Sequence, residues 1–356
     1  MIIIRIIVHS FLAEPFAMTF KRTLLACLFA FSGSVAAQQP VLNLYSARHY
    51  QTDEALYANF TKATGIRINR IEAGDEQIIE RIRTEGANSP ADVLLLVDAA
   101  RIWSAQQMGL FAPVKSATLE SRIPVQLRDK DGQWFGFSTR ARVIVYNKAS
   151  VKQEDVAAYE QLADPKLKGK VCTRSGSHPY MLSLVAAITE HDGEAKAEQW
   201  AKGVVGNFAR KPVGGDTDQI KAVASGECGV ALTNTYYWVR IAKSTKPEDV
   251  DIMKKVGFVW PNQSSYGTHV NISGGAMLKN APNKAAAVKF LEYLAGDEAQ
   301  GYFANGNNEW PAVKTALVKN PELDALGGFK ADAIGPGVFG KNMPVAQRIV
   351  DRAGWK

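Results

Sequence analysis

Val41-Leu42-Asn43-Leu44-Tyr45 and Asp92-Val93-Leu94-Leu95-Leu96-Val97 are two apolar runs of strand length, and the second has no polar side chain between its ends, as a strand covered on both faces requires. Between them the pattern changes period twice. Leu56, Phe60 and Ala63 share one face of a helix that Gly65 ends; Ile66 to Ile71 reads as the next strand; Gln77 to Arg83 is a helix buried through Ile78, Ile79 and Ile82. This βαβαβ order predicts a mainly parallel sheet wrapped by helices. A second series begins at Gly169-Lys170-Val171-Cys172-Thr173-Arg174, continues through a helix from Met181 to Thr189, and reaches the strand Glu227 to Leu232 and a helix from Thr235. Ala141 to Tyr146 and Thr268 to Ser273 are β-branched extended segments placed to cross between the two series, so they predict a double-stranded hinge rather than a linker. Helices from Asn283 to Leu294 and from Val345 to Arg352 close an α/β, two-lobed chain. Lobe 1 is expected over 38–138 plus 264–313, and lobe 2 over 139–263 plus 314–356.

At 356 residues and 46% hydrophobic composition, there is material for two cores. Lys21-Arg22, the apolar Thr23 to Phe31 and the small residues Ser34-Val35-Ala36-Ala37 read as an export signal over 1–37, with Met18 the natural start. The apolar run is about half the ~20 residues a membrane span needs. Leu24-Leu25-Ala26-Cys27 resembles a lipoprotein box, with too little apolar sequence ahead of Cys27. Removing the signal lowers the net charge from +7 to about +5, too mild for nucleic acid, and no basic run interleaved with aromatics supports that role. Cys172 and Cys228 then remain, free to pair in an oxidising compartment or to stay as buried thiols.

Ligands of open α/β sheets sit beyond the carboxyl ends of strands. There the sequence places His49 and Tyr50 after the first strand, Tyr180 after Cys172-Thr173-Arg174, and Tyr236-Tyr237 after Val230 to Asn234. Any one tyrosine is ordinarily structural, and Tyr146, Tyr159, Tyr266, Tyr293 and Tyr302 are read so. Four phenols at three strand ends form a different pattern. Phenolate oxygen is a hard anionic donor suited to Fe³⁺, whereas zinc and copper favour nitrogen and sulfur. Four tyrosinates on a trivalent ion leave excess negative charge, for which Arg140 and Arg240 are the candidate counter-ions.

Arg48-His49-Tyr50, Cys172-Thr173-Arg174-Ser175 through Tyr180, and Asn234-Thr235-Tyr236-Tyr237 together resemble the ligand segments of the ferric-iron-binding periplasmic proteins of ABC importers, in the branch with four tyrosine ligands. The resemblance implies a type II periplasmic-binding-protein fold, Fe³⁺ carried by Tyr50, Tyr180, Tyr236 and Tyr237 with His49 as a fifth ligand, and charge balance from Arg140 and Arg240. It also implies a periplasmic monomer that serves the membrane subunits of an ABC importer. Other members use a carboxylate, but Asp98 is read as a helix cap, and His178 as a solvated loop residue. The competing readings are a same-fold receptor for an anion, cradled at Ser175-Gly176-Ser177, or for a polyamine, and an iron-dependent periplasmic enzyme. No G-x-S-x-G, H-E-x-x-H or C-x-x-C motif supports an enzyme.

Overall fold

The computed structural model describes residues 39–48, Tyr50 and 52–356. The export segment over 1–37, with Met18 and Cys27, lies outside these residues, as does His49.

Nine strands carry the architecture: β1 (Val41–Ser46), β2 (Arg67–Glu72), β3 (Val93–Leu96), β4 (Phe135–Asn147), β5 (Val171–Cys172), β6 (Val230–Asn234), β7 (Val256–Val259), β8 (Val270–Met277) and β9 (Trp310–Pro311). Their order is β2-β1-β3-β8-β4-β6-β5, with β7 and β9 also paired to β4. β4 is the shared element. Its first half, Phe135 to Ala141, pairs with β8, and its second half, Arg142 to Asn147, pairs with β6 and β7. One long strand therefore runs from one half of the molecule into the other.

Each half has its own core on both faces of its sheet. Around the first sheet, Val93 and Leu95 point into a cluster with Phe60, Phe290 and Phe303, while Leu94 and Leu96 point into a second cluster with Ile78, Ile102 and Phe339. Burial of all four side chains of β3 is the doubly covered strand that its composition predicts. In the second half, Ile144 and Leu232 face the Pro179–Asp192 and Glu194–Gly206 helices, and Val145 and Ala231 face the Asp216–Ser225 helix.

The structure corrects the sequence reading in several places. The sheet is not mainly parallel: β1–β2, β1–β3 and β5–β6 are parallel, but every pairing of β4 and β8 is antiparallel, because a chain that leaves one half and returns must insert against its outgoing direction. Ala63 is exposed, and Tyr57 takes its place beside Leu56 and Phe60 on the buried face of the Asp53–Thr64 helix. The last helix runs from Pro336 to Ala353, straight through Pro344, rather than starting at Val345. Its two ends pack differently: Phe339 joins the core that holds Ile78 and Ile102, whereas Ala346, Ile349 and Val350 join the core of the second half. A proline inside a helix removes the hydrogen bond to the carbonyl four residues back, here Gly340, where the helix lies against Trp103. Cys172 and Cys228 form a disulfide, with Cα atoms 5.8 Å apart.

Candidate metal centre

Three strand-to-helix turns bring the four tyrosines together. After β1, the hydroxyl of Ser46 accepts from the Arg48 amide at 3.0 Å, and the Tyr50 carbonyl accepts from the Asp53 amide at 2.9 Å, which sets Tyr50 just ahead of the Asp53–Thr64 helix. Tyr180 is the second residue of the Pro179–Asp192 helix, whose start is fixed by proline in the first turn and by His178, whose Nδ1 accepts from the Tyr180 amide at 3.2 Å. His178 is thus a cap, half-buried with its ring 4.5 Å from that of Tyr180, and not a solvated loop residue. Tyr236 and Tyr237 follow Thr235 at the start of the Thr235–Ala242 helix, directly after β6. Tyr180 and Tyr236 therefore sit in first helical turns, where backbone amides and the helix dipole favour negative charge.

The phenols form one chain of contacts. Tyr236 donates its hydroxyl proton to the Tyr180 oxygen at 3.1 Å; the Tyr236 and Tyr237 rings are 4.3 Å apart; and the Tyr50 ring, from the first half of the molecule, meets the edge of Tyr236 at 6.1 Å. Burial raises the pKa of Tyr180 to about 12, Arg140 partly opposing the rise and Tyr237 adding to it. Burial also holds Tyr236 well above its ordinary value, reinforced by Tyr180 and Tyr50, and does the same for Tyr50, reinforced by Tyr180 and Glu309. These phenols are protonated at neutral pH, and ionising any of them needs a strong positive charge close by.

Arg140 is such a charge, but a modest one. It lies 2% exposed on β4, its guanidinium carbon 5.6 Å from the Tyr180 ring centre. Its Nη1 donates to Ser273 Oγ at 3.3 Å, its Nη2 meets no acceptor, and no carboxylate pairs with it among the described residues. Arg240 is exposed and lies over Tyr237, 5.4 Å from the ring centre, as its helical spacing predicts. Asp98 caps the Ala99–Gln107 helix by accepting from the amides of Ala100 and Arg101, and its second oxygen takes Ser183 Oγ at 2.6 Å and Asn271 Nδ2 at 2.8 Å. Its acceptor capacity is used within the fold, as the reading of it as a cap requires.

Sequence reasoning passed over four charged residues. Arg48 stacks under Tyr50, and Arg174 stacks on Tyr180 with its guanidinium carbon 5.1 Å from the ring centre. Both stand inside the motifs quoted for the tyrosines, and that adjacency was the available signal. Asp216, fully buried, holds Arg142 and Arg174 together, and Glu309, 1% exposed, reaches Arg48 from 261 positions away. No local pattern announces either carboxylate. Tyr159, read as structural, is fully buried with its hydroxyl bonded to the Arg142 carbonyl. Among the described residues, no three His, Cys, Asp or Glu side chains form a metal-binding group, and no helix is long and apolar enough to cross a membrane.

The model of the bacterial extracellular solute-binding proteins matches residues 55–331. Iron uptake protein A1 of Synechocystis sp. is 50% identical over 319 residues, which is 90% of this chain and 88% of that protein. The major ferric iron-binding protein of Neisseria meningitidis is 29% identical over 333 residues, 91% and 97% of the two chains. Among solved structures, the Trichodesmium protein IdiA (FutA) in complex with iron and citrate ligands superposes with a TM-score of 0.82 at 52% identity, over 89% of this chain and 100% of that one. The ferric binding protein from Campylobacter jejuni superposes with a TM-score of 0.84 at 40% identity, over 88% and 100%. The fold is the two-lobed one of these binding proteins, and the chain belongs to the bacterial extracellular solute-binding protein family.

Proposed function

We propose that this chain is an exported, periplasmic binding protein that captures Fe³⁺ between its lobes and delivers it to the membrane subunits of an ABC importer. The lobes are assigned as 38–138 plus 264–313 and 139–263 plus 314–356. Tyr50, Tyr180, Tyr236 and Tyr237 are the ligands, His49 the fifth, and Arg140 and Arg240 the counter-charges. The observation that carries the reading is the run of four phenols from both halves of the molecule, beside a buried guanidinium that no carboxylate bonds directly among the described residues. A core that needed only structural tyrosines would gain little from a buried cation at their edge that no carboxylate bonds directly. The iron-related names and contents of the relatives support the same cargo.

Chemically, the process is ligand exchange, and no covalent step is assigned to the protein. The trivalent ion displaces phenol protons as it binds. Tyr50 stands on one lobe and the other three phenols on the second, so only the closed form offers all four, and the ion shifts the hinge toward closure. The importer then distinguishes loaded from empty protein by shape. Ferric tyrosinate absorbs visible light, which an anion or polyamine complex does not. The test is to load the protein with Fe³⁺ and follow the visible band during competition with a chelator. Tyr180→Phe and Tyr237→Phe should each weaken retention by at least about tenfold, the loss of one charged metal ligand, with the fold intact. Unchanged retention in both variants would reject the assignment.

A further inference from the structure

Arg48 has a setting unlike that of Arg140. Its guanidinium is 3% exposed and lies between two rings, its carbon 4.9 Å from the centre of Tyr50 and 5.0 Å from the centre of Phe303. Its edge is fastened on two sides. Nε and Nη2 donate to the two oxygens of Asp53 at 2.9 and 3.1 Å, and Nη1 faces Glu309 Oε2 at 3.5 Å. Those carboxylates are themselves held, Asp53 by Asn307 Nδ2 at 3.0 Å and Glu309 by Ser138 Oγ at 2.9 Å. Phe303 is 2% exposed within the core of the first half.

We infer that Arg48 is a positioning residue: a planar clamp, anchored by Asp53, Glu309 and Phe303, that holds the Tyr50 ring aimed at Tyr236 before the lobes close. Two carboxylates pair directly with its charge, whereas none does so with Arg140 among the described residues. What it contributes besides charge is a flat, anchored surface. Tyr50 gains from one, because it stands outside any described helix or strand, whereas Tyr180, Tyr236 and Tyr237 are fixed by helical backbone. A guanidinium can stack and bond in its plane at the same time, which an ammonium cannot.

The inference rests on the reading of Tyr50 as an iron ligand, and its test separates the two. Ferric dissociation into excess chelator is timed by loss of the visible band for the unaltered protein, Arg48→Lys, Tyr50→Phe and the double variant, with melting of each iron-free protein as the control. Arg48→Lys keeps the charge and should speed dissociation by about tenfold, yet change the rate by less than about twofold once Tyr50 is phenylalanine, since coupling appears only between residues that act through each other. Equal acceleration in both backgrounds, or none in either, overturns the clamp. If Tyr50→Phe alone leaves the rate unaltered, the ligand assignment of Tyr50 fails, and the clamp fails with it. Should Arg48→Lys not fold, Glu309→Gln provides the same cycle, with an acceleration of about threefold expected from loss of one charged anchor. Independence from Tyr50 in that cycle overturns the clamp equally.

Discussion

Replacing Arg140 with glutamine should separate iron affinity from stability. The guanidinium carbon lies 5.6 Å from the Tyr180 ring centre, and its charge is favoured by Tyr180 when ionised, by Glu309, and then by Tyr236 and Tyr50 when ionised. Two unit charges at that separation, with an effective dielectric constant of about 20, attract by about 3 kcal/mol, so losing the nearest tyrosinate partner alone should weaken ferric affinity by roughly 150-fold. The empty protein should respond in the opposite sense. There, Arg140 is a buried cation with one hydroxyl partner and no directly bonded carboxylate among the described residues, Glu309 acting only at longer range, so removing it should be close to neutral or stabilising. The assay is a chelator-competition titration at fixed pH, paired with thermal unfolding of the iron-free protein. Affinity should fall about a hundredfold while the melting temperature holds or rises. An affinity within threefold of the unaltered protein would refute the charge-balance argument, and a parallel drop in melting temperature would show Arg140 to be structural.

Acid should release the cargo, because each phenol kept protonated must lose its proton to bind iron; affinity should fall by up to about one decade per pH unit for each proton displaced, and a pH-independent affinity between pH 5 and 8 would contradict this. The iron-free fold has the opposite limit: folding favours the neutral Tyr180 phenol, so its contribution is complete below pH 10 and is lost as pH climbs through about 12, which alkaline unfolding curves of Tyr180→Phe and the unaltered protein can compare. The Cys172–Cys228 bridge spans a sequence separation of 56, and its removal as the double alanine variant should cost roughly 4 kcal/mol in denaturant unfolding; a cost under about 1 kcal/mol would show that the unfolded chain is not what the bridge constrains. Gly340→Ala would drive a methyl into the Trp103 ring, destabilising by about 2 kcal/mol, and an unchanged melting temperature would mean that the last helix readily moves off that ring.

The architecture was legible where the pattern was local. Ile78, Ile79 and Ile82 announced a buried helix face, and the unbroken apolar run of Val93 to Leu96 announced a strand covered twice. The direction of strands was not legible, since β8 has the composition of any central strand and only its return across the hinge makes it antiparallel. The start of the last helix was not legible, because packing of Phe339 into one core and Ile349 into the other carries the helix through Pro344 from well ahead of Val345.

The tyrosines could be found because they stand at strand ends, positions that chain order alone identifies. Their charged surroundings divide along the same line. Arg140, Arg48 and Arg174 adjoin strands or motifs already marked, while Glu309 and Asp216 reach the site only through tertiary contact. A carboxylate that pairs across 261 positions leaves no periodic trace.

Whether four phenolate oxygens surround one ferric ion can be asked directly by resonance Raman spectroscopy of the iron-loaded protein, excited within its visible band. Phenolate ring and iron–oxygen modes should appear, and should shift when tyrosine is replaced by its ring-deuterated form. A loaded protein that is colourless, or whose band carries no tyrosinate modes, would contradict the assignment of Tyr50, Tyr180, Tyr236 and Tyr237.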